Sequence, residues 1–216
     1  TARSRGLGDV YKRQLLSQGS QLKSFPSGNI IIWEGSSNPP AFVVKSGRVL
    51  VTKSSKDGKE LILELVSPGD LYGLIPIFDE SKSAVNIRAH IDSQLVFLPK
   101  NTISLIIDSH SNLSRQFAEH ISSRLKSSYN FSRSIAHEQV KTRVASAIQR
   151  LIPFFKTSDT PEIEITRQEL ADLTGTRLET IVRTLKGMEE EGIVQLPKPK
   201  SVIVLDLNKL LELCKV

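Results

Sequence analysis

Residues Thr166 to Lys186, TRQELADLTGTRLETIVRTLK, constrain the fold of this chain more than any other stretch. Thr166 stands where it can cap a helix, and Glu169 three residues later can reach back to complete a capping box. Leu170, Ala171 and Leu173 supply an apolar face, and the small Ala171 lets a second helix pack close. Gly175 follows four residues after Ala171, where the chain must turn sharply and a side chain would obstruct it. Ile181, six residues further on, can anchor the second helix on the first. Alanine, glycine and aliphatic at this spacing predict a helix-turn-helix, a unit whose second helix enters a DNA major groove.

On that second helix Glu179 and Arg183 stand four apart and project from one face, with Arg177 just ahead at the helix start. An arginine can bond both acceptors of guanine and a glutamate can accept from the cytosine amine, each discriminating by about 1–3 kcal/mol. The same pair also fits a surface ion pair, worth about 0.2–0.5 kcal/mol to the helix. Inside a complete helix-turn-helix frame the DNA reading takes precedence.

Gly192 ends the helical pattern after Glu189-Glu190-Glu191. Ile193 to Leu196 and Ser201 to Leu205, joined by Pro197-Lys198-Pro199-Lys200, predict a β-hairpin, a wing beside the motif. Lys198 and Lys200 at its tip suit phosphate contacts, which add affinity and salt dependence without sequence choice. Solvated turn lysines account for them equally well. The three glutamates are expected to face away from the DNA.

Upstream, Leu22 to Pro99 reads as β-rich. Ile30–Ile32, Ala41–Val44, Arg48–Thr52, Leu61–Val66 and Leu95–Leu98 are short aliphatic runs separated by turn signals such as Ser46-Gly47, Asp57-Gly58 and Pro68-Gly69. Such punctuation predicts a sandwich or small barrel. Asp57-Gly58 marks a hairpin between Val49–Lys53 and Leu61–Leu65. Trp33 and Tyr72 are read as core aromatics, with the lining of a pocket as the alternative.

After Pro99 the pattern turns helical: a short helix from Asn101 to Asp108, a long one from Ser111 to about His137, and a third from Glu138 to Phe155. Along the long helix Leu113, Phe117, Ile121, Leu125, Ser128, Phe131 and Ile135 recur at three- and four-residue steps. That stripe fits the seam of a paired helix and so a dimer interface. A helix lying on its own β-domain is the alternative, and one stripe can serve both over different turns. The resulting organisation is a tail at 1–14, a β-domain at 15–110, the long helix at 111–137 and a DNA-binding domain at 138–216.

The formal charge of +6 needs a correction before it is used. The first fourteen residues, TARSRGLGDVYKRQ, have no hydrophobic period and resemble translated adapter sequence more than a native terminus. Four basic residues against Asp9 give them +3 and leave the remainder at +3, so overall charge supports nucleic-acid binding only weakly. No apolar run approaches the ~20 residues of a membrane span, and no secretory signal pattern is visible, which predicts a cytoplasmic protein. The sole cysteine, Cys214, excludes an intrachain disulfide framework or an all-cysteine metal cluster. With no phosphate-cradling glycine loop, metal-ligand spacing or partnered nucleophile, no enzyme class is predicted.

A glycine-punctuated β-domain, a long helix and a C-terminal winged helix-turn-helix together resemble the cAMP receptor protein/FNR family of bacterial transcription regulators. The resemblance is most specific over ITRQELADLTGTRLETIVRTLKGMEEEGIV, Ile165 to Val194, and extends to SGRV at Ser46 and PGDLYG at Pro68. It implies an α+β chain: an N-terminal cyclic-nucleotide-binding-type β-roll (a jelly roll), a long dimerisation helix and the winged motif. It also implies a homodimer on a near-palindromic operator, one recognition helix per half-site, with RNA polymerase as a further partner. By position, Glu179 and Arg183 match the family's base readers and imply a TGA core. Thr166, Arg167 and Gln168 match the segment that meets phosphates, Arg177 adjusts outer bases, and Thr180 and Lys186 complete the DNA-facing set. Leu178 stands where the cAMP receptor has another base-reading arginine, so that operator does not carry over.

The sensor half departs from the cAMP pattern. The family's phosphate cassette has glycine-glutamate, then arginine-serine-alanine; the matching residues are Gly73-Leu74, then Lys82-Ser83-Ala84. Leu74 cannot accept a hydrogen bond from a ribose hydroxyl, and Lys82 lacks the fork of arginine. Ser128 and Tyr129 fall where the long helix meets the base. The resemblance therefore implies an effector pocket but argues against tight cAMP binding, and no effector or cofactor is readable. No cysteine is placed for an iron–sulfur cluster. His90, His110, His120 and His137 lie in no ligand motif and are expected to be surface or hydrogen-bonded histidines. A ligand-binding module whose winged helix takes a protein partner is the alternative function, kept open by Glu162, Glu164 and Glu189–Glu191.

Overall fold

The structure is a computed structural model that describes residues 19–109, 111–155 and 160–214. The expected tail at 1–14, His110 and the side chain of Leu113 lie outside the described residues. The chain forms two compact units, the first running to Gly58 and from Leu63 to Ser128, the second comprising Lys59–Ile62 and the chain from Tyr129 onward.

In the first unit, β1 (Gln21–Phe25), β3 (Ala41–Ser46), β6 (Leu71–Tyr72) and β8 (Ser93–Leu98) form a sheet of order β1-β8-β3-β6. A second sheet has the order β2-β7-β4-β5, from Ile30–Ile32, Asn86–Ala89, Val49–Ser54 and Glu60–Val66. The runs AFVV and LVFL are apolar without alternation, as expected of strands covered on both faces. Ala41, Val43, Val96 and Leu98 enter one cluster, whereas Phe42, Val44, Leu95 and Phe97 enter the other. The first cluster is completed by Leu71, Leu74, Ile77, Ile103 and Phe117, and the second by Ile32, Val49, Val51 and Ile87 from the other sheet.

At the turn between β3 and β4, Gly47 has φ +84°, and a Cβ there would fall 2.3 Å from Ser93 Oγ and 2.4 Å from the Asp92 carbonyl. Only glycine fits. Strands β4 and β5 are neighbours in their sheet, and the Gly58 N–H closes the turn between them on the Ser55 carbonyl at 3.0 Å.

Helices α1 (Ile75–Asp79) and α2 (Lys100–Ser109) precede the long α3 (Ser111–His137). The expected stripe on α3 needs correction. Phe117 is 1% exposed inside the β-roll's own cluster and Ile121 packs against that cluster, so these turns serve this chain's core. A period shows which residues share a helix face but not what covers it. Leu125, 49% exposed, and the exposed Ser128 remain uncovered, with Phe131 half-buried. Trp33 is a second correction: it is 64% exposed and belongs to neither cluster, while Tyr72 packs against the second.

The second unit is built on α4 (Val140–Phe155), which buries Val144, Ala145, Ala147, Ile148 and Leu151. Around it lie α5 (Arg167–Thr174), α6 (Leu178–Glu190) and the C-terminal α7 (Leu207–Leu213). A small antiparallel sheet of order β10-β11-β9 joins Val194–Gln195, Ser201–Val204 and Glu162–Glu164. The wing is the hairpin β10–β11, with Val194 opposite Val204.

Candidate nucleic-acid interface

The first motif helix begins as its sequence dictates. Thr166 is extended at φ −75°, ψ 157°, its Oγ1 accepts from the Glu169 N–H at 3.0 Å, and its own N–H donates to Glu169 Oε2 at 2.9 Å. This box satisfies two donors that a helix start leaves open, and losing such a cap costs about 1 kcal/mol. At the other end Gly175 is left-handed, φ 60°, and its N–H returns to the Ala171 carbonyl. A Cβ on Gly175 would lie 2.6 Å from Ile135 Cδ1, so Ile135, expected in the dimer seam, packs beside the motif turn of its own chain.

The turn sets α6 with Ile181, Leu185 and Met188 fully buried on its inner side. Its outer side carries Leu178, Glu179, Val182, Arg183, Lys186, Gly187 and Glu190, which line one shallow groove. Glu179 and Arg183 are both exposed, one turn apart. Among the described residues neither meets a hydrogen-bond or ion-pair partner, so the surface ion pair that the spacing allowed is not formed. Arg177 is exposed at the helix cap position, and Thr180 is half-buried beside the Thr184 hydroxyl, which donates to its carbonyl at 2.8 Å.

Lys198 and Lys200 are exposed on the wing tip. Arg167 is engaged differently from the phosphate role its position implies. Its guanidinium donates to the Ser201 carbonyl at 3.2 Å and to the Lys198 carbonyl at 3.3 Å, tying the wing to α5. Burial lowers its pKa from the usual arginine value, and Glu189 opposes that shift. Gln168 is exposed and donates to Asp172 at 2.8 Å.

The sequence reading missed the wing's anchors. Glu189 accepts from the Leu196 N–H at 2.8 Å, Glu162 accepts from the Ser201 hydroxyl at 2.7 Å, and the Ile165 N–H donates to the Lys200 carbonyl at 3.1 Å. The three glutamates expected to act alike do not. Glu191 pairs with Lys141 at 2.6 Å, Glu190 lines the outer groove of α6, and Glu189 holds the wing.

In the first unit Leu74 is 4% exposed within the apolar cluster and offers no acceptor to a ligand. Gly73 has φ +87° and sits against Ala41 and Pro40. Ser83 is buried, and its hydroxyl donates to the Val85 carbonyl at 2.7 Å. Lys82 and Ala84 are exposed; the Ala84 carbonyl accepts from Lys53 Nζ at 2.8 Å, and Lys53 also pairs with Glu34 at 2.6 Å. Ser128 and Tyr129 are exposed.

A charged network centred on Arg124 was also invisible in the sequence. The guanidinium pairs with Glu64, donates to the Leu71 carbonyl at 3.3 Å and lies 4.5 Å from the Tyr72 ring centre. His120 Nε2 lies 3.0 Å from both the Leu71 carbonyl and Arg124 Nε. Burial, then the Arg124 charge, lowers the His120 pKa, while burial raises Glu64 and pushes Tyr72 up to about 12. Among the described residues no group of three His, Cys, Asp or Glu is placed to hold a metal ion.

Residues 22–110 match the family of the cyclic nucleotide-binding domain, and residues 142–213 match that of the Crp-like helix-turn-helix domain. A cyclic AMP receptor protein of Thermus thermophilus is 28% identical, the match covering 82% of this chain and 80% of that protein. A CRP-like cAMP-activated global transcriptional regulator of Mycobacterium tuberculosis is 25% identical over 90% of this chain and 88% of its own. The crystal structure of a CRP/FNR-family transcriptional regulator from Thermus thermophilus superimposes with a TM-score of 0.78 at 26% identity, covering 91% of this chain and 99% of that one.

Proposed function

The chain belongs to the Crp/Fnr family of transcription regulators, and we propose that it binds a near-palindromic DNA operator as a homodimer through the outer face of α6. Members of this family are regulators of transcription, not enzymes. One observation carries the proposal: Glu179 and Arg183 stand exposed, one turn apart and unpaired among the described residues, on the outer side of a helix whose inner side is fully buried. A carboxylate and a guanidinium in that position match the cytosine amine and the guanine acceptors of a major groove. Lys186, Lys198 and Lys200 supply positive charge for the flanking phosphates.

Two copies would place their recognition helices on half-sites about one helical turn apart, with Leu125 and neighbouring exposed turns of α3 at the contact. RNA polymerase is the further partner at the promoter, and the setting is cytoplasmic. Among the described residues no helix is long and apolar enough to cross a membrane.

The β-roll biases the dimer between DNA-competent and incompetent states, and its effector is not cAMP held in the family's manner. Leu74 supports this: a ribose hydroxyl brought to it would lose water without gaining an acceptor. Calorimetry is expected to show no cAMP binding in the micromolar range; micromolar binding would overturn that part of the proposal.

The DNA reading is tested with the double variant Glu179→Ala, Arg183→Ala. It is expected to remain folded and dimeric and to lose preference for its operator. Unchanged promoter occupancy in cells would contradict the reading and favour a winged helix that takes a protein partner.

A further inference from the structure

The outer side of α6 is not uniformly charged. Leu178 is 40% exposed and Val182 is 42% exposed, one helical turn apart, in a row beside the row of Glu179 and Arg183. Neither side chain is needed to hold the helix in place, because Ile181, Leu185 and Met188 already form a fully buried seam on the opposite side. All four outer residues fall in the first six positions of the helix, the part of a recognition helix that reaches base edges. The same side of the helix carries Arg183 and Lys186 against Glu179 and Glu190, a mixed polar setting, and the polyanion partner is the one proposed above.

The major groove presents one apolar feature to such a row, the 5-methyl group of thymine. We propose that Leu178 and Val182 specify thymine through its methyl group, so that each half-site contains at least one thymine read by apolar contact beside the bases read by Glu179 and Arg183. This rests on the DNA-binding reading of α6 and adds to it the chemistry of neighbouring positions. An aliphatic side chain closing on a methyl removes apolar surface of both from water, while a cytosine there would set its amine against carbon. The row thus selects against cytosine as well as for thymine.

The test removes the methyl alone. The full chain selects its preferred duplex from a randomised pool, and each thymine of the selected sequence is then replaced in turn by deoxyuridine. Binding of the intact protein is expected to weaken about fourfold at one or two thymines per half-site, the worth of one buried methyl group. The variants Leu178→Ala and Val182→Ala change exposed positions and should fold; in at least one of them the uracil penalty should vanish. Uracil tolerated at every thymine would overturn the proposal, and so would a penalty of the same size in both variants, since the methyl would then be read by another group or through DNA shape. A selection that enriches no sequence either with or without a pool of cellular metabolites would instead remove the DNA-binding reading, and this inference with it.

Discussion

Arg167 has two candidate roles, holding the wing and meeting a phosphate. Its place in the motif implies a phosphate contact, whereas its guanidinium is bonded to the Ser201 and Lys198 carbonyls of the wing. The variant Arg167→Met separates them. Loss of a charge-assisted anchor is expected to lower unfolding stability by about 1 kcal/mol, discounted for partial exposure, and to speed amide exchange in Ser201–Val204. A phosphate role alone would weaken DNA binding and leave wing exchange unchanged. His120 supplies a pH prediction. Its pKa is lowered on folding by burial and by Arg124, so below the ordinary value of 6.5 the unfolded chain takes up a proton that the folded chain resists. Its contribution to stability is present above pH 6.5 and is lost as pH falls below it. Melting temperatures measured between pH 7.5 and pH 5.5 should fall less steeply in His120→Gln than in the parent; equal slopes would contradict this assignment. Glu64 is shifted in the opposite direction by burial and partly offsets the loss in the parent, so the difference between the two proteins is the informative quantity.

Helix α6 carries two demands along its length. Its inner seam follows the helical period and is fixed by packing, whereas its outer face is left to ligand chemistry. Gly187 lies on that outer face, and a Cβ there would meet no heavy atom within 4 Å. The variant Gly187→Ala is therefore expected to stabilise the chain by about 1 kcal/mol, as for an exposed helix glycine. A lower melting temperature would show that the position is strained. The capping box, the glycine turn and the paired glutamate and arginine positions were legible in the sequence because each is a short-range pattern: cap to third residue, alanine to glycine, one helical turn. The doubly covered strands Ala41–Ser46 and Ser93–Leu98 were legible as strands for the same reason, their apolar runs being continuous. The wing anchors were not. Glu162 meets Ser201 across thirty-nine positions, and Arg167 meets the wing across more than thirty, so no local pattern announces either anchor. Phe117 was misplaced because its helical period is equally satisfied by a partner helix and by the β-roll beneath it.

The whole molecule joins a sensor-type β-roll and a winged helix-turn-helix through one long helix, and its proposed action depends on two copies. Phe117 and Ile121 serve the β-roll and Ile135 lies beside Gly175, so the burden of association falls on the turns around Leu125. Leu125→Asp would place a charge in an apolar contact and is expected to shift the chain to monomer in sedimentation, with DNA affinity falling at least tenfold. A dimer that survives this change would move the interface elsewhere. The central claim, that α6 reads a two-fold symmetric operator through Glu179 and Arg183, is tested most directly by fluorescence-anisotropy binding to a symmetric duplex with TGA-containing half-sites against a scrambled duplex across a salt series. The parent should prefer the symmetric duplex at every salt concentration, and the Glu179→Ala, Arg183→Ala variant should bind both equally, with the residual affinity falling as salt rises. A variant that kept the parent's preference would contradict the account.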